Sequence, residues 1–284
     1  MFKTKQKPEP RYKGCEVKDT VLKHVQDLAQ SVSDVKSSAE YLNYLKFCSH
    51  FHGYSSLNIW SIFIHHPGAS LVAGFRKWQK VNRFVKKGEK GIPILAPMIA
   101  HKDSADPESD RVVVGFRTVY VFDVSQTDGK EIPQIDWRGG VKNEELHNKL
   151  VMFAESLGIS VKRENQASGA EGVSKKGGKE IEINEKAGVE TLSHEIAHSL
   201  LHFGENRSQL TSQQQELEAE SVAYVVCSHF GLDVPSCKNY LALKDIEPEQ
   251  IMAHFDAINL ASSKIIEAVE GKTISPFEEL GEQE

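Results

Sequence analysis

The chain is poor in cysteine, and its cysteines do not cluster. Cys15, Cys48, Cys227 and Cys237 are widely spaced and form no CxxC pair. That excludes a sequence-evident disulfide framework and points to reduced thiols in a cytoplasmic protein. No stretch approaches about 18 consecutive apolar residues, so a membrane-spanning helix is not expected. The first fifteen residues are basic but lack an apolar core, which argues against a secretory signal peptide. There is no internal repeat. There is also no overall excess of positive charge: the formal net charge is −6, which on its face argues against a nucleic-acid partner. What remains is ordinary globular composition, 39% hydrophobic and 26% charged over 284 residues, enough for two modest domains.

The average charge conceals an asymmetry. Between Phe75 and Lys90 stand seven basic residues (Arg76, Lys77, Lys80, Arg83, Lys86, Lys87 and Lys90) against the single acid Glu89. From Leu241 to Glu284 there are ten acids against three lysines. Fields are screened within about 8–10 Å, so a polyanion responds to the local balance and not to the net charge.

Residues 1–14 read as a polar tail and 273–284 as an acidic one. Val21, Leu22, Val25 and Leu28 lie on one helical stripe, and a second helix is expected after Ser37-Ser38, burying Tyr41, Leu42, Leu45 and Phe47. A more apolar segment, Tyr54–His65, ends at Pro67-Gly68. A turn at 87–91 precedes the apolar run Ile92–Met98, residues 101–111 read as a surface loop, and Val112–Val124 reads as one long strand or two short ones. Gln126–Arg138, with Asp128-Gly129 and Pro133, is the expected linker, which places a domain boundary near residue 138. In the second half the pattern predicts a helix over 143–157, a strand over Ile159–Arg163, a glycine-bearing loop over 165–178 and a strand over Ile181–Ile183. Helices follow over about 188–203, 213–230 and 248–270.

The strongest chemical signal is His194-Glu195-Ile196-Ala197-His198. Positions i and i+4 share a helix face, with Cβ atoms about 5–6 Å apart. Two imidazoles there can converge on one Zn²⁺ at about 2.0–2.1 Å, while Glu195 stands beside the ion as a base for water. Leu192, Ile196, Ala197, Leu200 and Leu201 make this a buried helix, where histidines need partners. A third ligand is expected from the helix Gln214–Phe230. Glu216 and Glu220 share a face, whereas Glu218 points about 160° away from them. Glu216 is the expected ligand and Glu220 the expected acceptor for a ligand histidine N–H; an exchange of those two roles is the alternative. His202 reads as packing, with an oxyanion contact as the alternative, and Cys227 as core.

The segment Phe75–Gly91 interleaves cations with Trp78 and Phe84. Such mixtures hold single-stranded nucleic acid, cations tracking phosphates and rings stacking on bases. The competing reading is a solvated helix face and hairpin with both rings in the core.

Several blocks carry a resemblance. Tyr54-Ser-Ser-Leu-Asn58, Pro67-Gly-Ala69, Val72-Ala-Gly-Phe75, Trp78, Val85-Lys-Lys-Gly-Glu-Lys-Gly91 and Val121-Phe-Asp-Val-Ser-Gln-Thr127 resemble, in order, the single-stranded-DNA-binding N-terminal domain of ArdC-type antirestriction proteins. Thr191-Leu-Ser-His-Glu-Ile-Ala-His198 and Glu216-Leu-Glu-Ala-Glu220 resemble the ImmA/IrrE-like zinc metallopeptidase domain that follows it in such proteins. The resemblance implies an α+β fold in two parts. Residues 15–138 would form the DNA-binding domain, helices with a small antiparallel sheet, and residues 139–272 a minimal zincin of gluzincin type. It implies Zn²⁺ on His194, His198 and Glu216, with Glu195 as general base in hydrolysis of a peptide bond. Partners would be single-stranded DNA and a protein substrate, with no membrane, in an accessory protein of a mobile element that counters restriction. DNA contacts are expected, from charge and the interleaved ring, at Arg76, Lys77, Trp78, Lys80, Arg83, Lys86, Lys87 and Lys90. The strand Ile181–Ile183 could pair with an extended substrate. The alternative is a non-proteolytic DNA-binding protein with a structural zinc site.

Overall fold

The computed structural model describes residues 35–101, 111–132, 143–164, 171–203, 210–232 and 248–271, together with Asp19 and Lys23. The helix expected around 17–28, most of the loop 101–111, the later part of the linker and both tails lie outside the described residues.

Helix α1 (Val35–His50) buries Tyr41, Tyr44, Leu45 and Cys48, an i, i+3, i+4, i+7 stripe. Helix α2 (Ser56–His65) is capped by Ser55, whose side chain accepts the Asn58 backbone N–H, and stops at the turn around Pro67. Its inward polar residues serve the neighbouring strand. The Asn58 side-chain amide donates to Leu95 O (2.9 Å) and its carbonyl accepts from Leu95 N (2.8 Å). Ser61 donates to Pro93 O.

That strand is β3 (Ile92–His101), an edge of the antiparallel sheet β1-β4-β3, with β1 at Val72–Gly74 and β4 at Arg111–Asp123. The β-branched run expected as one or two strands is a single strand of 13 residues, with a bulge at Val114, which has no opposite residue between Met98 and Ile99 of its partner. Alternation sorts the faces: Ile92, Ile94, Ala96 and Val121 are buried, while Phe116 and Tyr120 on the other face are exposed. At the end of β4 the buried carboxylate of Asp123 accepts from the N–H groups of Ser70, Leu71 and Ser125. Burial works against this charge. The Ser125 hydrogen bonds and those of the two other amides outweigh it and hold the Asp123 pKa below its ordinary value.

Between β1 and β3 lie the short helix α3 (Phe75–Lys80) and strand β2 (Arg83–Val85), which pairs with β5 (Thr127–Gly129). The first residues of the expected linker are therefore a strand, too short to carry its own period.

Helix α4 (Asn143–Ser156) leads into the sheet β6-β8-β7, formed by Ser160–Arg163, Glu180–Ile183 and Gly172–Lys175; β6 runs parallel to β8 and β7 antiparallel. Part of the segment expected as a loop is thus a strand. Its glycines serve the turn after it, where Lys176, Gly177 and Gly178 take φ of 52°, 66° and 79°. The expected pairing of Ile181–Ile183 with a substrate does not hold, because β8 is central and both its edges are occupied; β6 and β7 are the edge strands.

Helices α5 (Val189–Leu201), α6 (Ser212–His229) and α7 (Pro248–Glu270) complete the chain. Among the described residues one hydrophobic cluster extends from Tyr41 to Val269 and joins helices of both halves. At its centre Tyr44 stacks on Trp60 (ring centroids 4.3 Å), and Phe255 of α7 packs on both rings at 5.0 and 5.6 Å. Polar clasps follow the same contact: Tyr41 Oη and Ser221 Oγ are 2.7 Å apart, and the Asn259 side chain donates to Tyr54 O (2.7 Å). Among the described residues no helix is long and apolar enough to cross a membrane.

Candidate metal centre

Helix α5 is held by the burial of Leu192, Ile196 and Ala197. That leaves His194 and His198 on the flank facing α6, ring centroids 4.6 Å apart and Nε2 atoms 2.9 Å apart. Helix α6 starts at a reciprocal cap: Gln214 N donates to Thr211 Oγ1 while Thr211 N donates to Gln214 Oε1. One turn on, Glu216 reaches both rings, with Oε2 3.4 Å from His194 Nε2 and Oε1 3.3 Å from His198 Nε2. Tetrahedral ligands with bonds of about 2.0–2.1 Å lie about 3.3 Å apart. The two distances from Glu216 match the edges of such a polyhedron, and the separation of the two histidine nitrogens, 2.9 Å, is shorter than an edge. Among the described residues these three form the one group of His, Cys, Asp or Glu close enough to hold a metal ion.

The electrostatics agree with the geometry. The hydrogen bond from His194, with the ring of His198 beside it, holds the Glu216 carboxyl well below the ordinary carboxylate range, against partial burial. Burial disfavours charge on His194. The hydrogen bond to Glu216 and the negative charges of Glu195, Glu216 and Glu220 outweigh it, and its pKa is raised. Glu195 is 6% exposed. Burial raises its pKa, offset in part by the two histidines, so it holds a proton more readily than a surface glutamate. Its carboxylate faces a cavity of about 280 Å³ that is also lined by Glu171, Glu190, Thr191, His194 and Glu220. Strand β7 forms one wall: the Ser174 hydroxyl donates to Glu195 O (2.9 Å). A Cβ on Gly172 would lie 2.8 Å from both Cγ and Oε1 of Glu195, so only glycine permits this approach.

Glu220 therefore sits in the cavity and acts on His194 through its charge. Glu218, on the far side of α6, is linked to the ligand histidine His198 through His202. His198 Nδ1 and His202 Nδ1 are 2.8 Å apart, His202 Nε2 is 3.1 Å from Glu218 Oε2, and Glu218 Oε1 is 2.7 Å from His254 Nδ1. Sequence reasoning passed over Glu218 and His254 and read His202 as packing. The signal was a glutamate among Leu217, Ala219, Ser221 and Val222, all buried, since a charge on a buried face requires partners.

The basic segment is divided by the fold. Trp78 is 2% exposed, and its Nε1 donates to Phe122 O (2.8 Å). It is a core residue, and the expectation that it stacks on bases is corrected. The Arg83 guanidinium clasps the β2/β5 ribbon, donating to Thr127 Oγ1, Thr127 O and Lys130 O. Lys86 donates to Ser125 O and lies 3.7 Å from Asp128. Arg76, Lys77, Lys80, Lys87 and Lys90 are exposed, as are the rings of Phe75 and Phe84.

An uncharacterized protein of Bacillus anthracis, pXO2-81, is 23% identical over an alignment that covers 82% of this chain and 47% of the relative, so the chain spans about half the length of the curated protein it matches. Two crystal structures of the antirestriction protein ArdC from plasmid R388 are similar at 18% identity. The metal-free one covers 78% of this chain and 87% of that one at a TM-score of 0.47, and the Mn(II)-bound one 76% and 89% at 0.45. Residues 15–127 match the family model described as the N-terminal domain of anti-restriction factor ArdC.

Proposed function

We propose that this chain is an ArdC-type antirestriction protein. In this reading a DNA-binding segment, residues 15–138, precedes a gluzincin-like zinc peptidase segment, residues 139–272. The observation that carries the peptidase reading is the convergence of His194, His198 and Glu216 beside a cavity faced by Glu195. Two imidazole nitrogens and a carboxylate oxygen suit Zn²⁺, and three protein ligands are the complement of catalytic sites rather than closed structural ones. A cation held there supplies Lewis acidity to a peptide carbonyl. Glu195, buried and with a raised pKa, takes the proton of the attacking water and returns it to the leaving amine. The buried free thiols of Cys48 and Cys227 suit a reducing cytoplasm.

The DNA-binding reading rests on the family match of residues 15–127 and on the exposed cations. Lys77, Lys80, Lys87 and Lys90 would track phosphates of single-stranded DNA, with Phe75 and Phe84 as the available ring faces in place of Trp78.

The test combines zinc-loaded protein with a peptide library read by mass spectrometry. Wild type is expected to cleave; Glu195→Gln is expected to keep its zinc and lose about 10²–10⁴-fold in turnover. Cleavage that survives in Glu195→Gln removes Glu195 from the reaction, and zinc binding without cleavage in wild type selects the non-proteolytic alternative. For DNA, anisotropy titrations with labelled oligothymidine are expected to give an affinity that falls with salt, with a slope flattened by about 1–2 in Lys87→Glu/Lys90→Glu. An unchanged slope places the phosphate contacts elsewhere.

A further inference from the structure

The buried chain His198–His202–Glu218–His254 joins three helices, α5, α6 and α7. The side chains of His202, Glu218 and His254 are 2%, 0% and 5% exposed, so their hydrogen-bond directions are decided within the protein.

Those directions can be worked out from the carboxylate end. A carboxylate only accepts hydrogen bonds. The nitrogens that meet Glu218, His202 Nε2 at 3.1 Å and His254 Nδ1 at 2.7 Å, therefore both carry hydrogen. A neutral His202 protonated on Nε2 has a bare Nδ1, which can only accept. The group facing it at 2.8 Å is His198 Nδ1, which must then be the donor. With its hydrogen on Nδ1, His198 turns a bare Nε2 lone pair toward His194 Nε2 (2.9 Å) and Glu216 Oε1 (3.3 Å). That is the tautomer a metal ligand needs. The opposite direction at the His198–His202 contact would put the hydrogen of neutral His198 on Nε2, in the middle of the donor set.

We propose that Glu218, acting through His202, is a positioning residue that selects the tautomer and ring orientation of His198 and thereby sets the affinity of the site for its divalent cation. The proposal rests on reading His194, His198 and Glu216 as the metal site. It assigns to α7, through His254, a share in orienting the carboxylate. Outer partners of ligand histidines typically govern affinity by about 10–100-fold.

The test begins with the full chain, metal-free, carrying ¹⁵N-labelled histidine. Nitrogen–proton correlation spectra are expected to show His198 protonated on Nδ1 and His202 on Nε2. Zinc affinity is then measured by competition with a chromophoric chelator for wild type, Glu218→Gln and His202→Phe. Both variants are expected to lose about 10–100-fold, and the double variant no more than the worse single one, because the two residues act along one path. Loss of the Nδ1–H signature of His198 in a variant that is still folded separates positioning from general stabilisation, which would lower the unfolding midpoint and leave the tautomer alone. The proposal is overturned by His198 carrying its hydrogen on Nε2 in wild type, or by folded Glu218→Gln binding zinc as tightly as wild type. If neither variant folds, the wild-type spectrum decides. If wild type takes up no zinc, the metal-site reading fails, while the spectrum still decides the hydrogen-bond direction.

Discussion

Replacing Glu216 by alanine tests the metal centre through stability alone, with no need to know a substrate. An ion that binds only the folded state stabilises it by RT ln(1 + [L]/Kd), about 2.7 kcal/mol at a hundredfold excess over Kd. The unfolding entropy of a chain of 284 residues is about 0.6 kcal/mol/K. The wild-type midpoint is therefore expected to rise by about 4–5 °C when zinc is added at that excess, and to fall back with a chelator. Glu216 supplies one of three donors, through oxygens 3.3 and 3.4 Å from the two histidine nitrogens. If its loss weakens binding about 100-fold, the same zinc concentration equals the new Kd. The gain drops to about 0.4 kcal/mol, under about 1 °C. The side chain is 45% exposed, so the metal-free midpoint should change little, by the small amount typical of exposed ion pairs. Differential scanning fluorimetry with and without zinc gives all four midpoints. A full shift in Glu216→Ala, or none in wild type at millimolar zinc, refutes the assignment.

Two further substitutions probe the supports of the site and of the sheet. Gly172→Ala brings a Cβ within 2.8 Å of the Glu195 carboxylate and should displace it. The expected result is about 10–100-fold lower turnover on a peptide identified in the library screen, with zinc affinity unchanged; wild-type turnover would mean that Glu195 tolerates the shift. Asn58→Leu removes two hydrogen bonds to Leu95 at a site 4% exposed and strands both backbone groups. It should cost about 2–4 kcal/mol in a denaturant titration, and a loss under about 1 kcal/mol would mean that those groups find other partners.

The legible parts of this protein are those governed by local geometry. His194 and His198 are one helical turn apart, so their convergence follows from the spacing, and Glu216 follows from the face it shares with Glu220. The buried face of α1 and the bounds of α5 and α6 follow from apolar periodicity in the same way. What escaped depends on distant chain. β1 and β5 have three residues each, too few for a period, and exist because β4 and β2 offer them partners. β7 hides among glycines that serve its turn. Trp78 stands in a run of cations, and only the packing against β4 takes it out of their company. Glu218 points away from the metal, and what it points to includes His254, 36 residues further along the chain.

The paired hydrogen bonds of Asn58 have a consequence for how this protein behaves in company. β3 is an outermost strand, and the N–H and C=O of Leu95 face away from β4, the direction from which a foreign strand would add. A side-chain amide offers that peptide one donor and one acceptor, as a neighbouring backbone would, so the middle of the border is already occupied. Helix α2 thus acts as a guard rail along the rim of the sheet. Growth of the sheet from one molecule into the next is barred at that point by a single asparagine.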